Sequence, residues 1–241
     1  ANCSSGDIFT AIERGNLDRV ETFLKENPAL LSQCDDRGRS PLHAAAAEGQ
    51  REIVEFLIAK GAAVDQRDRG FSKNTPLMYA CSHGRRDTAA LLIAKGAQVN
   101  ARNRRERLTA LLRASEKSSK KTAEWLKKYM DQFKEKRGNS PLHLAVTSGS
   151  KETVALLLEH DAEINAIGEW GHTPLFIAVI MRNKELAGYL IARGAQVNNG
   201  AAINRSWGGY ETNWTPLMQA AWKGSRDIVR LLVEQGAEID A

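Results

Sequence analysis

The side chains of this 241-residue chain best suited to proton transfer, nucleophilic attack or metal ligation near neutral pH are five histidines and three cysteines. Their spacing supports none of these chemistries. Cys3, Cys34 and Cys81 fit neither a disulfide framework nor paired zinc-binding knuckles. So sparse and odd a set fits a reducing compartment, with Cys3 and Cys34 the one pair worth testing for oxidation and Cys81 a core residue. His83 follows Cys81 by two positions, which on a helix turns the two side chains to different faces. Glu159, His160 and Asp161 have the types needed for acid–base work, yet consecutive residues at a helix end point apart. No Gly-rich phosphate loop, nucleophile elbow or helical His pair with a Glu occurs. The chain is therefore read as non-enzymatic, with no catalytic residue, no metal site and no cofactor.

What must be positioned is a folded chain of ordinary composition, 42% hydrophobic and 26% charged, with a net charge of +5. Such a balance excludes a disordered tail, and the longest apolar stretch, Leu175 to Met181, is too short to cross a bilayer. A cytoplasmic location is the default. The first residue is Ala rather than Met, so a periplasmic or secreted location applies if a signal peptide has been cleaved.

Compared with itself, the chain repeats. Ser40-Pro41-Leu42-His43, Thr75-Pro76-Leu77-Met78, Ser140-Pro141-Leu142-His143, Thr173-Pro174-Leu175-Phe176 and Thr215-Pro216-Leu217-Met218 are versions of one tetrapeptide, and Thr109-Ala110-Leu111-Leu112 stands midway in the long gap. Ser or Thr caps a helix, and Pro follows where its missing N–H is not needed. Small residues come next, as in Ala45-Ala46 and Ala145-Val146. Gly49, Gly84, Gly149 and Gly224 then close this first helix. A second helix follows, as in Arg51 to Lys60 with Ile53, Val54, Leu57 and Ile58 on one face, and ends at motifs such as Gly61-Ala62-Ala63-Val64-Asp65. One such helix pair has too little core to stand alone, so the units must stack as a solenoid.

These residues resemble the ankyrin repeat family, with its Thr-Pro-Leu-His-x-Ala start, mid-unit Gly and Gly-Ala-x-Val-Asn exit. The resemblance implies an all-α solenoid of stacked helix-turn-helix units with hairpin fingers, forming a single domain over 1–241. Seven units are expected: a capping repeat at 1–35, then 36–67, 68–101, a degenerate basic unit at 102–133, 134–166, 167–198 and 199–241. It further implies that His43 and His143 hydrogen-bond between units, and that fingers and first helices line a concave face that binds another protein.

Function in a repeat scaffold lies where units differ, since shared positions are occupied by stacking. Three departures stand out. Residues 102–137 carry 13 basic and 5 acidic residues, leaving 21 basic and 24 acidic elsewhere. Arg102, Arg104, Arg105 and Arg107 fall on one expected finger and Lys134, Lys136 and Arg137 on the next, a field that would steer an acidic partner. Secondly, a nine-residue excess makes an extended finger at 199–214 containing Trp207 and Tyr210. Thirdly, Trp170, His172, Ile180, Met181, Trp214, Trp222 and Lys223 occupy groove-facing places where earlier units have small or polar residues. Aromatic and Met clusters of this kind mark interface hot spots.

The expected function is thus a protein-interaction module that captures an acidic-surfaced protein through its concave face and extended finger, inhibiting or sequestering it, in the manner of an inhibitor or immunity-type protein. The chain alone is expected to be monomeric. The alternative is nucleic-acid or anionic-surface binding through the basic patch 102–137, which lacks the interleaved base-stacking aromatics such binding normally uses.

Overall fold

In the computed structural model, residues 7–70, 72–103, 138–199, 201–204 and 211–239 are described. They form twelve α-helices arranged as six antiparallel pairs. The first pair is α1 (Ile8–Glu13) and α2 (Leu17–Glu26), followed by a 3-10 turn, Pro28–Ser32. Then come α3 (Pro41–Glu48) with α4 (Arg51–Ala59), and α5 (Pro76–Ser82) with α6 (Arg86–Ala94). The last three pairs are α7 (Pro141–Ser148) with α8 (Lys151–Glu159), α9 (Pro174–Ile180) with α10 (Lys184–Ala192), and α11 (Pro216–Trp222) with α12 (Arg226–Glu234). Among the described residues the only strands are β1 (Ala201–Asn204) and β2 (Glu211–Trp214).

The repeated tetrapeptide starts each inner helix, but its cap takes two forms. Thr75, Thr173 and Thr215 accept from the backbone amides of Met78, Phe176 and Met218 at 3.4, 3.2 and 3.2 Å. Ser40 and Ser140 instead turn their hydroxyls to the imidazoles of His43 and His143, at 2.7 and 2.8 Å. Gly49 and Gly149 close α3 and α7 at φ 80° and 75°, where an L-residue is strained. Arg182 takes the same place after α9 at φ 56°.

Stacking follows from two ladders of apolar residues. Ala45, Ala80, Ala145, Ala178 and Ala220 of the inner helices are fully buried, and their small side chains let successive layers approach closely. Leu57, Leu92, Leu157, Leu190 and Leu232 repeat the same burial on the outer helices. Each such leucine contributes about 1.5–3 kcal/mol relative to exposure. The inner row runs α1–α3–α5–α7–α9–α11 and the outer row α2–α4–α6–α8 and α10–α12.

This order brings together two units that stand far apart in the sequence. Helix α5 packs on α7 and α6 on α8, so the units 68–101 and 134–166 are neighbours. The described residues thus supply six layers. Residues 104–137 themselves lie outside the described residues.

Candidate interaction surface

Two of the five histidines are structural bonds between layers. The Nε2 of His43 meets the carbonyl oxygens of Gln66 (2.8 Å) and Asn74 (3.1 Å), and that of His143 meets those of Ala166 (3.0 Å) and His172 (3.2 Å). Carbonyl oxygens only accept, so Nε2 carries the proton and Nδ1 is left to accept from Ser40 or Ser140. Burial lowers the pKa of both rings, that of His143 to about 4 with further help from the Arg102 guanidinium. Neither nitrogen is free to serve as a base. Cys81 is wholly buried, which pushes its thiol far above the usual range and makes it inert. Among the described residues no group of three His, Cys, Asp or Glu side chains could hold a metal ion.

The apolar groove positions are built by the C-terminal ends of α9 and α11. Met181, at the C-cap of α9, is 52% exposed, and Trp222, the last residue of α11, is 64% exposed. Ile180 is half-buried beside Met181. Helices α9 and α11 are adjacent, and Ile180 and Trp222 stand at the same repeat position. Lys223 places its ammonium 4.9 Å from the Trp222 ring centre, a cation–π contact at the edge of the patch. In the earlier layers the same places hold Ala47 and Glu48, Ser82 and His83, and Thr147 and Ser148.

The remaining expected contact residues are placed less uniformly. His172 is half-buried with its ring stacked on Phe176, centroids 4.8 Å apart, and burial lowers its pKa. Trp214, at the end of β2, is half-buried, and its indole N–H donates to Gln219 Oε1 at 2.8 Å, so part of this ring is engaged within its own layer. Trp170 lies in a short 3-10 turn, Glu169–Gly171. Strands β1 and β2 pair antiparallel from Ala201 opposite Trp214 to Asn204 opposite Glu211, and β1 packs against that turn. The extended finger is thus a hairpin leaning on its neighbour. Trp207 and Tyr210 at its tip lie outside the described residues, as do Arg104, Arg105, Arg107, Lys134, Lys136 and Arg137.

Arg102 is a correction. It was expected to project a free charge for steering, but its guanidinium is tied into the fold. Nη2 meets Glu163 at 3.1 Å, and Nη1 donates to the carbonyls of Gly138 and Ile167. Its own carbonyl accepts from Arg67 Nη1 at 2.8 Å. Sequence reasoning missed this because the partners lie 36 to 65 positions away, across the long gap in the repeat.

A family model described as ankyrin repeats matches three times, over residues 8–103, 102–168 and 165–241. Human scaffold protein ILK is 44% identical over 64 residues, 27% of this chain and 14% of that protein. Myotrophin of Xenopus tropicalis is 41% identical over 56 residues, 23% of this chain and 47% of that protein. The chain thus spans only a small part of the scaffold protein's length. Among solved structures, the ankyrin repeat domain of human ASB11 aligns with a TM-score of 0.71 at 21% identity, covering 97% of this chain and 85% of that one. The ankyrin repeat domain of Bcl-3, described as a unique member of the IkappaB protein family, aligns at 0.67 and 26% identity, covering 97% and 88%. Both likenesses run through the whole stack of helix pairs.

Proposed function

Because this chain belongs to the ankyrin repeat family, an interaction fold, we propose that it binds another protein through the concave ends of its last two layers and the finger at 199–214, and thereby occludes or sequesters that partner. The observation that carries this reading is the exposure of Trp222 beside Met181 at positions that are small or polar in every earlier described layer. A solvent-facing indole with a Met neighbour and a Lys at its rim has the composition of a hot spot, whose truncation costs roughly 2 kcal/mol or more of binding. The cationic residues between 104 and 137 would speed encounter with an acidic partner surface, in a manner that salt weakens.

The test is capture of the partner from lysate of the source organism by the unaltered chain, by a Trp222→Ala/Met181→Ala variant, and by a convex-face control, Lys60→Ala. A protein retained by the first and third and lost by the second is the expected result. Equal retention by all three refutes the docking surface. Retention of nucleic acid alone, abolished by salt, would favour the anionic-surface alternative.

A further inference from the structure

Each described helix pair turns from its inner to its outer helix through one residue in the left-handed region. Gly15, Gly49, Gly84, Gly149 and Gly224 hold this place at φ 67°, 80°, 64°, 75° and 66°. The layer of α9 and α10 holds Arg182 there, at φ 56°, where a residue with a Cβ is strained. In earlier layers a side chain of the next layer closes over the turn. A Cβ would fall 2.8 Å from Gln50 Oε1 at Gly15, 2.9 Å from Arg85 Cδ at Gly49 and 3.3 Å from Ser150 Cβ at Gly84. Over Arg182 the covering residue is Ser225, which is small, and its hydroxyl accepts from Arg182 Nε at 3.1 Å. A long side chain therefore fits, and the bond steadies its guanidinium beside Met181, at the rim of the apolar patch.

This rim is cationic. Arg182, Lys223 and Arg226 are all exposed, and among the described residues none of them forms an ion pair. Of the acids in the first turns of α10 and α12, Glu185 is held by Lys151 Nζ at 2.7 Å, and Asp227 stands against three cations. Earlier turns are mixed in sign: Glu48 precedes Gly49, and Arg86 pairs with Asp87 at 3.2 Å. Strain kept at Arg182, where every other described layer has glycine, places a charge that folding does not need.

We propose that this rim reads carboxylates, a role that rests on the docking surface proposed above: the partner offers an acidic linear segment with a large apolar side chain in it. The apolar side chain covers the Trp222 indole and the Met181 thioether. Neighbouring carboxylates meet the planar fork of Arg182 and the point charge of Lys223. A nucleic acid would meet the same cations, but it has no aliphatic side chain to cover Met181 and Ile180.

The probe is a fluorescein-labelled peptide, Glu-Glu-Leu-Phe-Glu-Glu between Gly-Ser spacers, followed by fluorescence anisotropy. Its controls are the same peptide with Gln for every Glu, and a labelled oligothymidylate. Arg182→Gly restores the residue of the other layers, so it is expected to melt no lower than the natural chain while binding the acidic peptide about fivefold more weakly. Lys223→Gln, which leaves the backbone unchanged, is expected to weaken it about threefold. The Gln peptide should bind the natural chain as weakly as the acidic peptide binds Arg182→Gly. No saturable binding of the acidic peptide, equal binding of the two peptides, undiminished binding by both variants, or tighter binding of the oligothymidylate each overturns the carboxylate role. Capture of the lysate partner separates this from the docking surface itself. A partner lost by Trp222→Ala/Met181→Ala but kept by Arg182→Gly leaves the surface standing without its preference for acids, whereas a partner kept by both removes the two together.

Discussion

Acidification should destabilise this protein well before its carboxylates titrate, and His143 is the main reason. Its Nε2 proton is shared between two carbonyl oxygens, while Nδ1 faces the amide of Ser140 at 3.2 Å and its hydroxyl at 2.8 Å. A second proton on Nδ1 would oppose the Ser140 amide and lie in the field of Arg102. Burial, the larger cause, and that field hold the pKa at about 4 against an ordinary 6.5. A base with a depressed native pKa binds fewer protons folded than unfolded once the pH falls below 6.5. Its stability contribution is thus complete above that pH and is lost progressively down to about pH 4. The full loss is about 3 kcal/mol, of which about 2 kcal/mol falls between pH 7.5 and 5.0. His43 and His172 are shifted the same way and add to the slope. Urea melts at pH 7.5 and 5.0 on the natural chain and a His143→Gln variant measure it. The natural chain should lose more stability than the variant on acidification. Equal losses in both would refute the role given to this imidazole.

Arg102→Ala should cost about 2 kcal/mol in chemical denaturation, because it removes charge-assisted bonds to two carbonyls. Glu163→Ala, which breaks an ion pair whose acidic partner is 61% exposed, should cost under about 1 kcal/mol. Leu157→Ala, at a fully buried position, should lower stability by about 2–5 kcal/mol, whereas Trp222→Ala should leave the melting curve within about 0.5 kcal/mol of the natural chain. Gly38→Ala should be worse than Gly61→Ala in the same assay. Both adopt positive φ, but a Cβ at Gly38 falls 2.5 Å from the Gly70 nitrogen, while at Gly61 it meets nothing within 4 Å.

The stack was legible because its rules are local and repeated. Pro after Ser or Thr, Ala in the inner helix and Leu in the outer one each recur at the interval that packing requires, and the inner and outer ladders fall where the periodicity puts them. The packing of α5 on α7 was not legible in the same way. The tetrapeptides at 75 and 140 stand 65 residues apart, with Thr109-Ala110-Leu111-Leu112 at the repeat interval between them, and interval alone does not reveal that their helices touch. That junction is joined by Asn100, Asn103 and Asn139, whose partners across the gap no local pattern announces. The groove was half legible. Trp222 and Met181 are exposed where alignment of the units puts them, but the indole of Trp214 is partly used by Gln219, a neighbour five positions along the same chain. For Arg102, charge counting assigned to solvent a guanidinium that the backbone carbonyls of two fingers had already claimed.

The imidazole bond between layers is present at His43 and His143 and replaced by Met78 and Phe176 in alternating layers. At Met78 the Arg102 and Asn103 bonds stand in for it, and at the junction after Phe176 Arg182 Nε donates to Ser225 Oγ at 3.1 Å while Asn198 Oδ1 accepts from the amide of Glu238 at 3.0 Å. Under tension along its axis a junction closed by a buried imidazole would then hold until both carbonyl bonds break together, and would part abruptly rather than by gradual slip.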